Sequence, residues 1–293
     1  MGQGPVTPAG QRAGRRRERQ FAFEPAHFAY IAELVQRLAG IHLTTRKAEM
    51  VYSRLSRRLR ELGLDGFDAY CARLGDDPDG EELNVLVNAL TTNLTHFFRE
   101  PHHFEHLGSV LVPAVRGAQA AAAKPRLRIW SAGCSTGEEP YSIAMTLQGL
   151  MPDLGRWDAR VLATDIDTAV LDAAAKGRYR ADAADGIPDE WRRRFVEPGR
   201  GGAPFAIAPA VRRLVTFKPL NLIEDWPMRG PFDAIFCRNV LIYFDRGDRI
   251  RTVDRFAGLL AEGGFLYLGH SESLFGISSR FRQVGPTTYR RVA

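Results

Sequence analysis

The sequence predicts an α/β protein: a doubly wound, mostly parallel sheet, preceded by a small helical domain and interrupted by a small antiparallel β-insert. Three observations carry this expectation. From about 24 to 92, apolar residues recur at helical spacing and no strand pattern intervenes. From 125 onward, short apolar runs alternate with amphipathic helical stretches, the beat of a parallel sheet with crossover helices. Between about 178 and 217 that beat fails, and Gly and Pro punctuate short extended stretches as in a β-ribbon.

In the first segment, Phe28, Ile31, Leu34, Val35 and Leu38 share a helix face that ends near Gly40. Met50, Val51, Leu55, Leu59 and Leu62 make a second helix, stopped at Gly63. Its other side carries Arg54, Arg57, Arg58 and Arg60, with Arg46 and Lys47 just before it. FDAYCARL and EELNVLVNAL give two more helices, so 23–92 reads as a helical domain and 93–124 as its connection to a sheet domain, 125–293. In that domain RLRIWSAG is a strand running into a glycine turn, YSIAMTLQGL a helix and ARVLATDID a second strand. DTAVLDAAAKG is a helix, VTFKPLNL a third strand and FDAIFCRN a fourth. RIRTVDRFAGLLAEGG reads as a helix stopped by Gly263-Gly264, FLYLGHSES as a fifth strand and FRQVGPTTYRRV as a closing strand.

Composition narrows the function. With 293 residues, 45% hydrophobic and 25% charged, the chain can bury a sizeable core. No apolar run approaches the roughly 18–20 residues of a membrane span. Glu24 and His27 interrupt the one apolar run near the start, and position six lacks the Ser or Thr of a myristoylation signal. A cytoplasmic monomer without membrane insertion is the expectation. The net charge of +6 is concentrated: residues 1–20 hold five Arg against one Glu, which is +4 and leaves +2 for the rest. The Gly/Pro/Arg-rich stretch 1–22 is expected to be a disordered tail. The body is not basic enough to read as a nucleic-acid binder. Cys71, Cys134 and Cys237 lack the close spacing of a zinc site or a disulfide framework.

In such a sheet, ligands sit at the carboxyl ends of the strands near the switch point, and three strand ends here are unusual. In SAGCSTGEEPYS, Gly133 and Gly137 allow a sharp turn, and the following helix offers free N–H groups. Glu139 is either a ligand group or the partner of Thr136 in a capping box. In ATDID, Asp165 is placed to accept ribose hydroxyls, whereas Asp167 precedes TAVLDAAA as a helix cap. At the end of FDAIFC, Arg238 and Asn239 emerge on the same edge, as does Asn221 after VTFKPL; Tyr243 follows four residues later. An acid, a glycine turn and a polar fourth strand end describe an adenosine-binding domain, and S-adenosylmethionine suits one that lacks GxGxxG. CRNV stands where base-methylating enzymes carry Asn/Asp-Pro-Pro-Tyr/Phe, and Phe rather than Pro precedes Cys237, so both patterns argue against nucleic acid.

TTNLTHFFRE, SAGCSTGEEPYSIA, ATDID, PLNL, FDAIFCRNVLIYFD and GGFLYLGHSES together resemble the CheR family of chemotaxis receptor glutamate methyltransferases, over about 24–291. Gly133-Cys134 departs from the small Ala-type residues common there. The resemblance implies a Rossmann-like methyltransferase domain with an N-terminal helical domain and a small β-subdomain. It implies S-adenosylmethionine as cofactor, with S-adenosylhomocysteine as product. By motif match it assigns Asn93, Thr95, Arg99, Glu139, Asp165, Asn221, Leu222, Arg238 and Asn239 to the cofactor, and it favours Glu139 as ligand over cap. Arg99 and Tyr243 match residues proposed to assist transfer to glutamates on cytoplasmic receptor helices. Leu94, Phe97 and Phe98 are expected to lock a lid whose working face is Asn93, Thr95 and Arg99. Arg46, Lys47, Arg54, Arg57 and Arg58 are expected to dock the acidic receptor helices, and the insert to take a receptor C-terminal peptide. His96, His102, His103 and His106 have no carboxylate or Cys at metal-site spacing, so no metal is expected there.

Overall fold

The computed structural model describes residues 19–76, 80–199, 201 and 203–292; of the tail expected over 1–22, residues 1–18 lie outside the described residues. Four helices open the chain: α1 (Pro25–Ala39), α2 (Ala48–Leu62), α3 (Phe67–Asp76) and α4 (Glu81–Leu90). Their apolar faces close a core around Ile31, Val35, Val51, Leu55, Leu59 and Leu86. Each such side chain contributes about 1.5–3 kcal/mol by leaving water. Residues 19–22 do not behave as tail. Phe21 is buried on this core, and Arg19 pairs with Glu49 while lying 4.9 Å over the Tyr52 ring. Apolar area and an arginine stem are enough to pin those residues down.

The connection holds α5 (His102–His106), a π-helical turn (Leu107–Leu111) and α6 (Val112–Ala118). The sheet domain follows with β1 (Arg126–Ala132), α7 (Glu138–Leu150), β2 (Asp158–Asp165) and α8 (Thr168–Lys176). The insert contains β3 (Arg178–Tyr179), α9 (Asp189–Phe195), β4 (Val196–Glu197), β5 (Phe205–Ile207) and α10 (Pro209–Arg212). Then come β6 (Val215–Pro219), β7 (Phe232–Cys237), α11 (Arg246–Leu259), β8 (Leu260–Leu268), β9 (Phe281–Gly285) and β10 (Thr288–Arg291). The main sheet runs β6-β2-β1-β7-β8-β10-β9, parallel from β6 to β8, with β10 antiparallel to β8 and β9. No described helix is long and apolar enough to cross a membrane.

The period-2 alternation of the strands separates two cores. On β1, Leu127 and Ile129 face the helices α5–α7, while Trp130 and Ala132 face α11. Ser131 therefore points toward α7 from the middle of a buried sheet. Three expectations need correction. The insert is a three-stranded antiparallel sheet, β3-β5-β4, interleaved with helix, and it ends before Val215, because 215–217 pair with β2 in the main sheet. Helix α11 stops at Leu259 rather than at Gly263-Gly264. Leu260 already pairs with Phe232, so sheet pairing overrides the helical period of LLAEGG. FRQVGPTTYRRV is a hairpin rather than one strand, because the Pro286-Thr287 turn interrupts it.

Candidate active site

Strand β1 lies between β2 and β7, so at this switch point the chain leaves in opposite directions and a crevice opens beyond the strand ends. It encloses about 1010 Å³ of atom-free space, its open mouth included. The floor carries Gly133, Cys134 and Ser135 after β1, Glu139 from α7, Asp165 of β2, Asn221 and Leu222 after β6, and Arg238 and Asn239 after β7. Thr91 to Thr95 and Arg99 cross above them, with Lys47 and Tyr243 on the rim. Every residue expected at the cofactor, and Tyr243, therefore lines one cleft.

The capping box is not formed. Gly137 starts α7 without a side-chain cap, and Thr136 Oγ1 donates to Glu138 Oε2 at 2.6 Å instead. Glu139 turns inward, accepting from Ser131 Oγ at 2.7 Å and from Arg238 Nη1 at 3.1 Å. Burial pushes its pKa up, and the Arg238 charge opposes that. Arg238, with its side chain 2% exposed, also lies 3.4 Å from Glu100 Oε2 and donates to the Arg99 carbonyl. For Glu100, burial works to raise the pKa, but Arg238 and the His270 hydrogen bonds outweigh it and hold the carboxyl low.

Asp165 is buried, which raises its pKa, yet both oxygens are steadied by backbone: Oδ2 accepts from Ser135 N–H at 2.8 Å and Oδ1 from Asp167 N–H at 3.0 Å. Asp167 caps α8, as its position predicts, through the N–H groups of Ala169 and Val170. Its other oxygen accepts from Thr91 Oγ1 at 2.9 Å and Asn93 Nδ2 at 2.8 Å. Asn93 thus spends its amide on holding the crossing segment in place. Asn221 does likewise, donating to the Leu38 carbonyl at 2.6 Å and tying α1 to the sheet. Leu222 is buried in the core behind the cleft.

Arg99 donates to the Leu94 carbonyl at 3.1 Å and, among the described residues, makes no ion pair. Two carboxylates that could pair with it are committed elsewhere: Glu100 to Arg238, and Asp245 to capping α11 at Asp248 N–H, 2.8 Å. Phe97 and Phe98 are buried, Phe97 edge-on to Tyr179 at 4.9 Å, and so anchor the segment. Leu94 does not: it is 82% exposed, because the extended run 91–96 turns it to solvent. Phe98, Glu100, Ser135 and Asn239 all have positive φ around the cleft, a backbone state that costs about 1–3 kcal/mol each and collects at functional sites.

The residue that sequence reading left without a role is Glu272. It is buried and accepts from the N–H groups of Asn239, Val240, Ile242 and Gly269, fixing the loop that presents Asn239 and Tyr243. Its signal was the SES motif after a strand end. Glu100 was likewise passed over. Gly133 has φ 80°, and a Cβ there would run into Val240 Cγ2. Gly133→Ala combines about 1–2 kcal/mol of left-handed strain with about 1–3 kcal/mol of overpacking. It is expected to lower the urea midpoint accordingly; an unchanged midpoint refutes that tightness.

Comparison with known proteins then decides the family. The description "CheR methyltransferase, all-alpha domain" matches residues 26–91, and "CheR methyltransferase, SAM binding domain" matches 93–290. The chain belongs to the CheR methyltransferase family. A probable chemotaxis protein methyltransferase of Rhizobium etli is 45% identical over 86% of this chain and 94% of its own. Chemotaxis protein methyltransferase 2 of Pseudomonas aeruginosa is 44% identical over 92% and 94%. The chemotaxis protein methyltransferase of Escherichia coli is 43% identical over 92% of each chain.

This CheR-family protein is a methyltransferase with S-adenosylmethionine as cofactor. The cleft suits that group. Asp165 carries carboxylate lone pairs that would suit hydroxyls and Glu139 ones that would suit an ammonium, while Leu90, Ile166, Leu220, Leu222 and Val240 line an apolar wall that would suit a planar base. The five residues expected to dock a partner divide. Arg54 donates to the carbonyls of Ala89 (3.2 Å) and Thr91 (2.5 Å), closing the end of α4. Arg58 grips Glu82 at 3.0 and 2.7 Å. Both are therefore turned to the domain itself, whereas Arg46 is exposed, Arg57 is exposed while pairing with Glu61 on its own helix at 2.9 Å, and Lys47 lies 5.0 Å over the Tyr243 ring at the rim. Cys237 is fully buried, and burial pushes its thiol pKa well up.

Proposed function

We propose that this enzyme methylates glutamate side chains on the cytoplasmic helices of chemoreceptors, giving glutamyl methyl esters and S-adenosylhomocysteine. The observation that carries the reading is the charge at the cleft mouth. Arg99, Lys47 and the Tyr243 hydroxyl stand there, and the acids of the floor are committed to Arg238, Ser131 and backbone N–H groups. A rim of cations without a base suits an acceptor that arrives already ionised, as glutamate does at neutral pH. The bound cofactor supplies an electrophilic methyl on its sulfonium. That methyl would pass to the ionised carboxylate and leave S-adenosylhomocysteine, so the protein would have no proton to remove. Arg99 orients the carboxylate, Tyr243 donates a hydrogen bond to it, and the closed segment 91–99 excludes water.

Labelled S-adenosylmethionine tests this directly. Base-labile label on a cytoplasmic receptor fragment is the expected result. Alkali-stable label on nucleic acid, or cofactor binding without any transfer, overturns it. The docking proposal narrows to Arg46, Lys47 and Arg57, a positive strip for acidic helices. Arg46→Glu with Arg57→Glu is expected to slow receptor methylation about tenfold through KM, about 1.4 kcal/mol, with cofactor affinity unchanged. An unchanged KM removes the strip from docking. The proposal includes a receptor C-terminal peptide added as a strand to the insert, whose edges are the short strands β3 and β4; calorimetric titration with such a peptide showing no saturable heat would discard that part.

A further inference from the structure

We propose that Glu100, His102 and His103 form a site for a divalent metal of the zinc type, beside the cofactor cleft rather than in it. None of the three lines the cleft. One ligand atom from each residue lies within 4.8 Å of those of the other two. Glu100 Oε2, His102 Nε2 and His103 Nδ1 are buried and have no hydrogen-bond partner. Buried polar atoms are almost always paired, and here three that share one ligand chemistry converge on one point.

The protonation pattern makes the convergence chemical. His103 is fully buried, and its Nε2 bonds Thr287 Oγ1 at 3.0 Å. With the proton on Nε2, the Nδ1 lone pair faces Glu100 Oε2 at 3.6 Å. Arg238 Nη2 stands 3.4 Å from the same Glu100 oxygen. A second hydrogen bond on the far ring nitrogen, here to Thr287, is what orients a metal-bound imidazole. Glu100 is steadied in turn through Oε1, which accepts from the His270 backbone N–H at 3.1 Å.

Charge favours a cation as well. Glu100 and Glu139 share one buried guanidinium, Arg238, so two carboxyl groups stand against one fixed cation. Two imidazoles and one carboxylate are a borderline-hard N/O set, suited to zinc and to its spectroscopic substitute cobalt. The metal would fasten the turn at 97–103, which carries Arg99, to the β9–β10 hairpin through His103 and Thr287.

The test uses the full-length protein, stripped with EDTA and desalted, with Zn²⁺ titrated in competition with a chromophoric chelator. One equivalent is expected to bind, and Co²⁺ should give a visible band without thiolate charge transfer. His102 is half-buried at the start of α5, so its removal is the gentle variant. His102→Ala is expected to weaken Zn²⁺ binding at least tenfold while S-adenosylmethionine affinity, read by calorimetry, stays unchanged. Should that variant fail to fold, His102→Gln takes its place. Absence of a saturable equivalent, equal binding by the variant, or a thiolate band from Cys71 would each overturn the proposal.

Discussion

Arg238→Ala is expected to lower the unfolding free energy by about 3–5 kcal/mol, the cost of stripping one partner from a buried ion pair. The guanidinium is nearly inaccessible and stands between Glu139 and Glu100, with a further donation to the Arg99 carbonyl. Without it two carboxylates remain buried with no counter-charge, and the turn that carries Arg99 loses its anchor. The pH dependence has a definite sign. Losing Arg238 raises both carboxyl pKa values in the folded state, so the deficit is small at acid pH and grows as pH rises through those values. Arg238→Lys keeps the charge but cannot fork to both acids, and should recover part of the loss. Chemical denaturation at two pH values checks this; a change under about 1 kcal/mol at neutral pH contradicts the buried-charge account.

Arg99→Ala is expected to lower kcat about 100-fold with cofactor affinity nearly unchanged, the size of effect seen when one preorganised donor is lost. The guanidinium is held by a single carbonyl and is aimed into the cleft, so it is available to a carboxylate that is present only during turnover. Tyr243→Phe removes one neutral hydrogen bond and should cost about tenfold. Its ring position is fixed independently, by Lys47 at 5.0 Å and by the Glu272-held loop, so the phenylalanine will sit where the tyrosine did. Rapid-quench single turnovers separate chemistry from binding. Unchanged kcat with a raised KM would assign either residue to uniform binding rather than to transfer.

Much of the site was legible because strand ends are legible. A glycine turn after β1, an acid ending β2 and a polar pair ending β7 each show in one line of sequence, and parallel topology obliges them to meet. The helical domain was equally plain, since four amphipathic periods bounded by glycines leave little choice. The insert, the end of α11 and the final hairpin were misjudged for a common reason: local patterns there suit two states, and pairing with a distant strand decides between them.

Sequence alone determined the α/β class, the family and the set of residues around the cleft, because these follow from periodicity and from motifs local in the chain. Tertiary structure alone decided what each side chain does there. Glu139 was cap or ligand until Ser131 and Arg238 claimed it. Arg54 and Arg58 read as a docking face until carbonyls and Glu82 took them. Glu100, His102 and His103 show no convergence in sequence, yet a left-handed turn at Glu100 brings its carboxylate and the two imidazoles together. The physical reason is the same in each case. A charged side chain commits to whichever partner spares it desolvation, and that partner comes from a different stretch of chain or through a turn that spacing does not show.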